Sequence, residues 1–240
     1  MKVAWNRTTV ETLDMALHIA LPAARMVCRD EQYKNKAIIY YTLQKYSKQI
    51  KLADKQKQKR HRIDATSDAH VQNLKRDFRK LQALFTEILV SESFYPANVM
   101  SLPKPDMLPY ESFITCSYCR CNIFNRFLTC PSCVSTFPDG EQDTYDICMD
   151  CYAMGRSCAC ISKLKWVEQW SWGDLTHNHE KWRHQILQTE AHISDQSPKS
   201  LRTELENLGK HRTLAQVCQS ELAHRPFNDI MKPKPANNLR

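Results

Sequence analysis

Cysteines dominate the chemistry that this chain can do. Eight of its eleven form four close pairs: Cys116/Cys119, Cys130/Cys133, Cys148/Cys151 and Cys158/Cys160. Three pairs are C-x2-C and the last is C-x-C. Two intervening residues let one chain turn present two thiolates to the same ion, so four pairs supply soft ligands for two closed tetrahedral zinc sites. Interleaved sharing gives one ion to Cys116, Cys119, Cys148 and Cys151 and the other to Cys130, Cys133, Cys158 and Cys160. That arrangement ties distant segments together and makes metal binding a source of folding energy, on the order of 10 kcal/mol per site. Two alternatives stay open. Cys121 could replace Cys119, and the H-x-H pair His177/His179 could displace Cys158/Cys160.

A disulfide cluster is the competing reading of these cysteines. It fits poorly, because Met15–Ala24 contains His18 and Pro22 and follows Glu11 and Asp14, unlike a secretory signal. Three further cysteines, Cys28, Cys121 and Cys218, also suit a reducing compartment better. Cys28 and Cys218 fall in helical patterns and read as small buried hydrophobes. No run approaches the roughly 18–20 apolar residues of a membrane span, so no membrane partner is expected.

Other chemistries lack their residues. Four glycines cannot write either Gly-rich phosphate loop. His179-Glu180 followed by His184 spaces its histidines by five, whereas H-E-x-x-H needs four to bring both imidazoles to one helix face. No G-x-S-x-G is present. All-thiolate zinc is closed and seldom activates water. The expectation is therefore a chain that is not an enzyme, with no catalytic or organic-cofactor site.

The elements that position the cysteines are mainly α-helical, with a small cross-braced two-zinc module containing short β pieces. Residues 1–91 read as a helical domain. Val10, Leu13, Leu17 and Ala20 mark a first helix, capped by Thr8 or Thr9 and limited by Pro22. Ile39, Leu43, Tyr46 and Ile50 mark a second, starting near Asp30. Val71, Leu74, Phe78, Leu81, Phe85 and Ile88 mark a third, capped by Ser67 or Asp68. Residues 92–113 carry Pro96, Pro103, Pro105 and Pro109 and read as an extended connector. Residues 114–190 hold the cysteine module and a Trp-rich extension. Trp166, Trp170, Trp172 and Trp182 are expected to pack onto the module, with an aromatic ligand cage as the competing reading. Residues 191–240 read as short helices, around Leu201–Leu208 and Leu214–Leu222, and a disordered tail.

The formal charge is +8, weighted toward Lys51–Lys80. That stretch either contacts nucleic-acid phosphate or is a solvated face. No aromatic residues interleave its densest part, Lys51–Arg62.

The cysteine stretch resembles a known family. Cys116-Ser-Tyr-Cys119, Asn122-Ile-Phe-Asn125, Cys130-Pro-Ser-Cys133, Tyr145-Asp-Ile-Cys148-Met-Asp-Cys151-Tyr152 and Cys158-Ala-Cys160 are similar to the zinc finger that follows the catalytic domain of JmjC-type histone lysine demethylases. A family histidine is replaced by Cys151. Lys2–Arg7, Glu11-Thr-Leu13 and Leu21-Pro-Ala-Ala-Arg25 resemble the closing stretch and exit helix of that domain. The resemblance implies a nuclear chromatin segment that binds chromatin proteins or a histone tail. The iron site of the family needs H-x-[DE], which occurs nowhere here. The chain would thus be either non-catalytic or a fragment whose iron ligands lie elsewhere. The stretch Tyr145–Tyr152 with Gly155 and the later H-x-H also resembles a ZZ-type finger. RING-type ubiquitin ligases are a weaker match, since their last pair is normally C-P-x-C.

Overall fold

The first helix is interrupted within its second turn, for a reason written in its sequence. In the computed structural model, α1 (Val10–Met15) passes through a π-helical turn, Ala16–Ala20, into α2 (Leu21–Met26). Thr9 caps α1 by accepting from the Thr12 amide, while the Thr12 hydroxyl accepts from the Thr9 amide. Pro22 was expected to limit this helix, yet it sits in the first turn of α2. A proline inside a regular α-helix removes one amide and collides with the preceding turn. The wider π turn immediately before it places Pro22 where a new helix begins, and the chain continues. The extra residue also rotates the apolar stripe, so Leu21 is buried and Ala20 is exposed.

The structure describes residues 8–29, 33–59, 65–93, 104–110, 114–136, 138, 140, 142–160, 163–189 and 198–210. The basic turn Arg60–Arg62, Pro96 and Pro103, the Leu214–Leu222 helix, Cys218 and the tail lie outside them.

Two long helices follow, α3 (Asn35–Lys59) and α4 (Ala65–Ser91). Contacts at both ends, Lys36 with Glu92 and Lys75 with Asp54, make them an antiparallel pair. Their predicted stripes face each other: Ile39, Leu43 and Ile50 pack with Phe78, Leu81, Phe85 and Ile88. Residues 51–59, polar in sequence, continue α3. Across this pair lies α6 (Trp172–Thr189), which adds Leu175, Trp182 and Ile186 to the same core. A short α7 (Leu201–Lys210) adds Leu201. Ser47 and Gln185 clamp α3 to α6, the hydroxyl donating to Oε1 at 2.7 Å and Nε2 donating to the Ser47 carbonyl at 3.2 Å.

A four-stranded sheet carries the cysteines. Its strands are β1 (Asp106–Met107), β2 (Arg126–Thr136), β3 (Gln142–Cys148) and β4 (Lys165–Glu168), in the order β1-β4-β2-β3. β2 is antiparallel to both neighbours, and β1 is parallel to β4. Helix α5 (Met149–Ala153) continues directly from β3. A second apolar cluster lies on this side, built from Leu21, Ile123, Phe127, Leu128, Ile147, Met149, Tyr152 and Val167 with several cysteines. The mainly helical architecture with a small β-containing cysteine module is thus as expected.

The helices and the sheet meet in the extended stretch Ile123–Arg126. Successive residues of an extended chain point to opposite sides. Ile123 enters the cysteine-side cluster and Phe124 enters the helical one. Glu92, just past α4, accepts the amides of Phe124, Asn125 and Arg126 at 3.0–3.2 Å and pairs with buried Lys36 at 3.5 Å. From the other side the Asn125 carboxamide oxygen accepts the amides of Gln169 and Trp170. Arg126 donates to Glu168 at 2.7 Å and stacks over Trp172, while Glu168 accepts the Trp172 amide at the start of α6.

The tryptophans divide between the two clusters. Trp166 packs on the cysteine side, whereas Trp170, Trp172 and Trp182 pack with the helices. The expectation that all four cover the module is corrected, because α6 leaves β4 toward α3 and α4. No helix among the described residues is long and apolar enough to cross a membrane.

Two measurable consequences follow. Glu92→Ala strands a buried lysine and three amides, and is expected to cost about 3–5 kcal/mol in urea denaturation; a loss under about 1 kcal/mol would show that the joint does not depend on this carboxylate. On the π turn, His18 contacts Glu87 at 2.6 Å and Asp14 at 2.9 Å. The hydrogen bond to Glu87 raises its pKa above the ordinary 6.5. A raised folded-state pKa stabilises fully below 6.5 and is lost as pH rises through the shifted value. The stability gap between wild type and His18→Gln should therefore be largest in mild acid and vanish in alkali; a gap independent of pH would contradict the pairing.

Candidate metal centre

Local backbone geometry prepares each cysteine pair. Ile114–Ile123 folds back on itself, with a Thr115–Asn122 bridge and the Ile123 amide bonded to the Ile114 carbonyl. At its tip the Cys116 amide donates to the Cys121 carbonyl and the Arg120 amide to the Cys116 carbonyl. Arg120 takes the left-handed conformation, φ 63°, that closes this turn. Ser117 fastens the tip to β3: its amide donates to the Asp146 carbonyl at 2.7 Å and its hydroxyl accepts the Asp146 amide at 3.0 Å. Cys148 ends β3 as the cap of α5, and Cys151 follows one helical turn later, so both thiols share a face.

These segments bring Cys116, Cys119, Cys148 and Cys151 together, with all four sulfurs buried and within 4.8 Å of one another. The Cys119–Cys148 sulfur separation is 3.9 Å. A tetrahedron of Zn–S bonds near 2.3 Å has edges of about 3.8 Å, so the sulfurs fit zinc. The thiols cannot all ionise unaided. At Cys116 the Cys119 thiol pushes the pKa up while Cys148 and Cys151 pull it down, to about 7. Contacts with Cys116 and Cys119 push Cys148 well above its usual range. A divalent cation at the centre relieves that conflict by replacing the remaining protons.

The second group comprises Cys130, Cys133 and Cys158, also within 4.8 Å of one another. Cys160 approaches it through a 3.9 Å contact with Cys133. The β2–β3 register explains the knuckle. Cys130 pairs with Tyr145 and Val134 with Thr144, so Pro131, Ser132 and Cys133 bulge out without partners on β3. Burial raises the Cys130 pKa, but the Ser132 and Cys133 amides and the nearby thiols outweigh it and hold it below its usual value. Cys133 is pushed the other way, to about 12, by burial and by the Cys130 and Cys160 thiols. Gly155, at φ 82°, ends α5 and turns the chain back toward Cys158. Tyr145 stands between the groups, its phenol pushed up to about 12 by burial and by thiols of both.

Of the alternative ligands, Cys121 stays beside the first group without belonging to it, and the histidines lie on α6. Cys121 is buried beside Cys119 and donates to the Cys119 carbonyl. His177 and His184 are exposed on α6. His179 is fully buried in the helical region, its Nε2 2.7 Å from Thr86 Oγ1 and 2.9 Å from Gln82 Nε2. Burial lowers its pKa, which keeps the ring neutral there. The rings that could have formed an aromatic cage fill one another's space: Trp170 stacks on Tyr110 at 4.2 Å and meets Phe124 in a tilted contact at 4.5 Å. Cys28, expected in a helix interior, is exposed just beyond α2 at φ 50°. A helical pattern in sequence continues past Met26, but the backbone does not.

Sequence spacing missed Arg25. From α2 its Nη2 donates to Cys148 Sγ at 3.3 Å and reaches Cys151 Sγ at 3.9 Å, while Nη1 pairs with Asp150. Nothing in its local sequence marks it, because its partners lie more than a hundred residues away.

The basic stretch is partly neutralised. Lys75 pairs with Asp54, Arg76 with Asp77 and Lys80 with Glu11. On α3, Tyr41, Lys45, Lys48, Leu52 and Lys55 recur every three or four residues and are all exposed, with Lys51 exposed beside them.

One curated protein similar to this chain is C-module-binding factor A of Dictyostelium discoideum, 27% identical over 175 residues. The match covers 65% of this chain and 15% of that protein. No family model and no solved structure matches the chain.

Metal analysis separates the ligand sets. Wild type purified under reducing conditions is expected to carry two zinc ions, Cys148→Ala about one, and His179→Ala still two despite lower stability. Loss of an ion from His179→Ala would reverse the assignment.

Proposed function

We propose that this chain is a zinc-stabilised, non-catalytic interaction segment of a nuclear chromatin protein, of the kind that follows the catalytic domain in JmjC-type histone lysine demethylases. The observation that carries this reading is the buried group Cys116, Cys119, Cys148 and Cys151, four sulfurs at zinc spacing. A centre with four thiolates has no position left for water or substrate, so its role is to hold structure. Cys130, Cys133, Cys158 and Cys160 take a second zinc on this reading, with Cys160 completing the set from beside Cys133. The similarity to a protein whose name describes it as a binding factor supports a role in binding.

The surface offered to a partner is the solvent face of α3. Lys45, Lys48, Lys51 and Lys55 present one line of charge, with Tyr41 and Leu52 between them as apolar contacts. Such a line suits the phosphate backbone of DNA, which rewards each neutralised phosphate by counterion release. The contribution of Lys75–Lys80 is smaller, since three of its cations are already paired. Chromatin proteins and histone tails are the protein partners implied by the family resemblance.

Binding is testable by fluorescence anisotropy on a DNA duplex at several salt concentrations. Charge reversal of Lys45, Lys48, Lys51 and Lys55 to glutamate is expected to weaken binding and flatten the log-log salt slope by about 3–4 units. Zinc content and helicity should not change, because these side chains lie off the core stripe. Binding that ignores both salt and charge reversal would remove DNA from the proposal. Iron-dependent consumption of 2-oxoglutarate by the purified chain would overturn its non-catalytic part.

A further inference from the structure

Helix α2 and the first cysteine group are far apart in sequence and joined across a cleft. The cleft has a volume of about 940 Å³. Pro22, Arg25 and Met26 line one wall, and Asp150, Cys151 and Met154 line the other. Arg25 spans it. Its planar fork is suited to this task, because Nη1 can serve the Asp150 carboxylate while Nη2 serves Cys148. Leu21 and Leu17 supply the apolar part of the attachment by packing against the cysteine-side cluster.

We propose that Arg25 is an outer-sphere positioning residue of the first metal centre, and that its bond to Cys148 makes the docking of α2 depend on the occupancy of that centre. The proposal rests on the zinc reading above. When a cation holds Cys148 and Cys151 as thiolates, the guanidinium meets two strong anionic acceptors beside Asp150. Charge-assisted bonds of this kind are roughly twice as strong as neutral ones. When the centre is empty, no ion holds the Cys148 and Cys151 sulfurs side by side before the guanidinium fork, and the Asp150 pair is the anchor that does not depend on the ion. The reciprocal effect follows by linkage: a donor that favours the thiolates favours the metal. The amino-terminal helix thereby reports whether the first centre is loaded.

Cobalt(II) serves as the spectroscopic probe, loaded into the full chain under reducing conditions. Wild type should take up two ions with intense thiolate-to-metal charge-transfer absorption. Arg25→Met should still take up two, but the charge-transfer band of one centre should move to lower energy, because its sulfur electrons lose a hydrogen bond. A chelator should extract that ion at roughly tenfold lower concentration. Arg25→Lys, which keeps the charge but not the fork, should fall between. Arg156→Met is the control, since Arg156 lines the same cleft but stacks on Tyr118; it should behave as wild type. Hydrogen exchange in wild type gives an independent readout. Amides of residues 23–28 should lose protection when metal is stripped, before those of α3 and α4. An unchanged band and extraction profile in Arg25→Met overturns the proposal, as does an equal shift in Arg156→Met or undiminished protection of residues 23–28 after stripping. Absence of any thiolate charge-transfer band in wild type overturns the metal reading itself, and this proposal with it.

Discussion

Four buried cysteine sulfurs within 4.8 Å of one another are electrostatically frustrated unless something positive joins them. In an environment of reduced dielectric, like charges at this spacing repel by several kcal/mol per pair, and the thiols respond by keeping protons. The rest of the module is organised around resolving that conflict. Ser117 pins one knuckle to β3, the strand-to-helix junction at Cys148 supplies the second pair, and Arg25 brings a guanidinium from outside the module. Without a cation at the centre, each of these devices holds together thiols that must keep protons to stay this close. This is why a metal in such a module acts as folding energy rather than as decoration of a preformed pocket.

The helical side does not depend on that constraint, and the joint between the two is polar. Glu92 gathers three amides from Phe124–Arg126 and a buried lysine, where an apolar side chain would leave the amides unpaired. A buried ion pair adds little net stability. What it adds here is direction: a carboxylate at the end of α4 accepts only one path of the chain into β2. Ile123 and Phe124 then divide between the two apolar clusters, so a slip by one residue would exchange a β-side contact for a helical one and strand both.

The parts legible in the sequence are those set by short-range spacing. The apolar stripes of α3 and α4 follow helical periodicity and lie where that periodicity puts them. The C-x2-C pairs reveal their turns for the same reason. What sequence could not supply depends on contacts between distant residues. Pro22 reads as a stop signal, and only the π turn beside it lets the helix resume. His177 and His179 read as an alternative ligand pair by type, but His179 is drawn into the helical region by Gln82 and Thr86 on α4. The tryptophans read as cover for a small module because they follow it in the chain, whereas Trp170 and the two tryptophans of α6 pack on the other side.

The separation between the two apolar clusters also bears on how such a chain would bind. The proposed DNA-facing residues lie on α3, whose opposite side is packed against α4 and α6. The proposed binding face on one cluster and the cysteine groups on the other are linked through the elements that touch both. Leu17, on the π turn, packs against the two clusters, and four residues later Leu21 is committed to the cysteine side. Helix α2 thus follows a turn that touches both the cysteine-side cluster and the helical bundle. Because α1 contacts α4 through Lys80–Glu11 and the π turn does so through His18–Glu87, a change in how α2 docks would be felt along the helices without any rearrangement of their core.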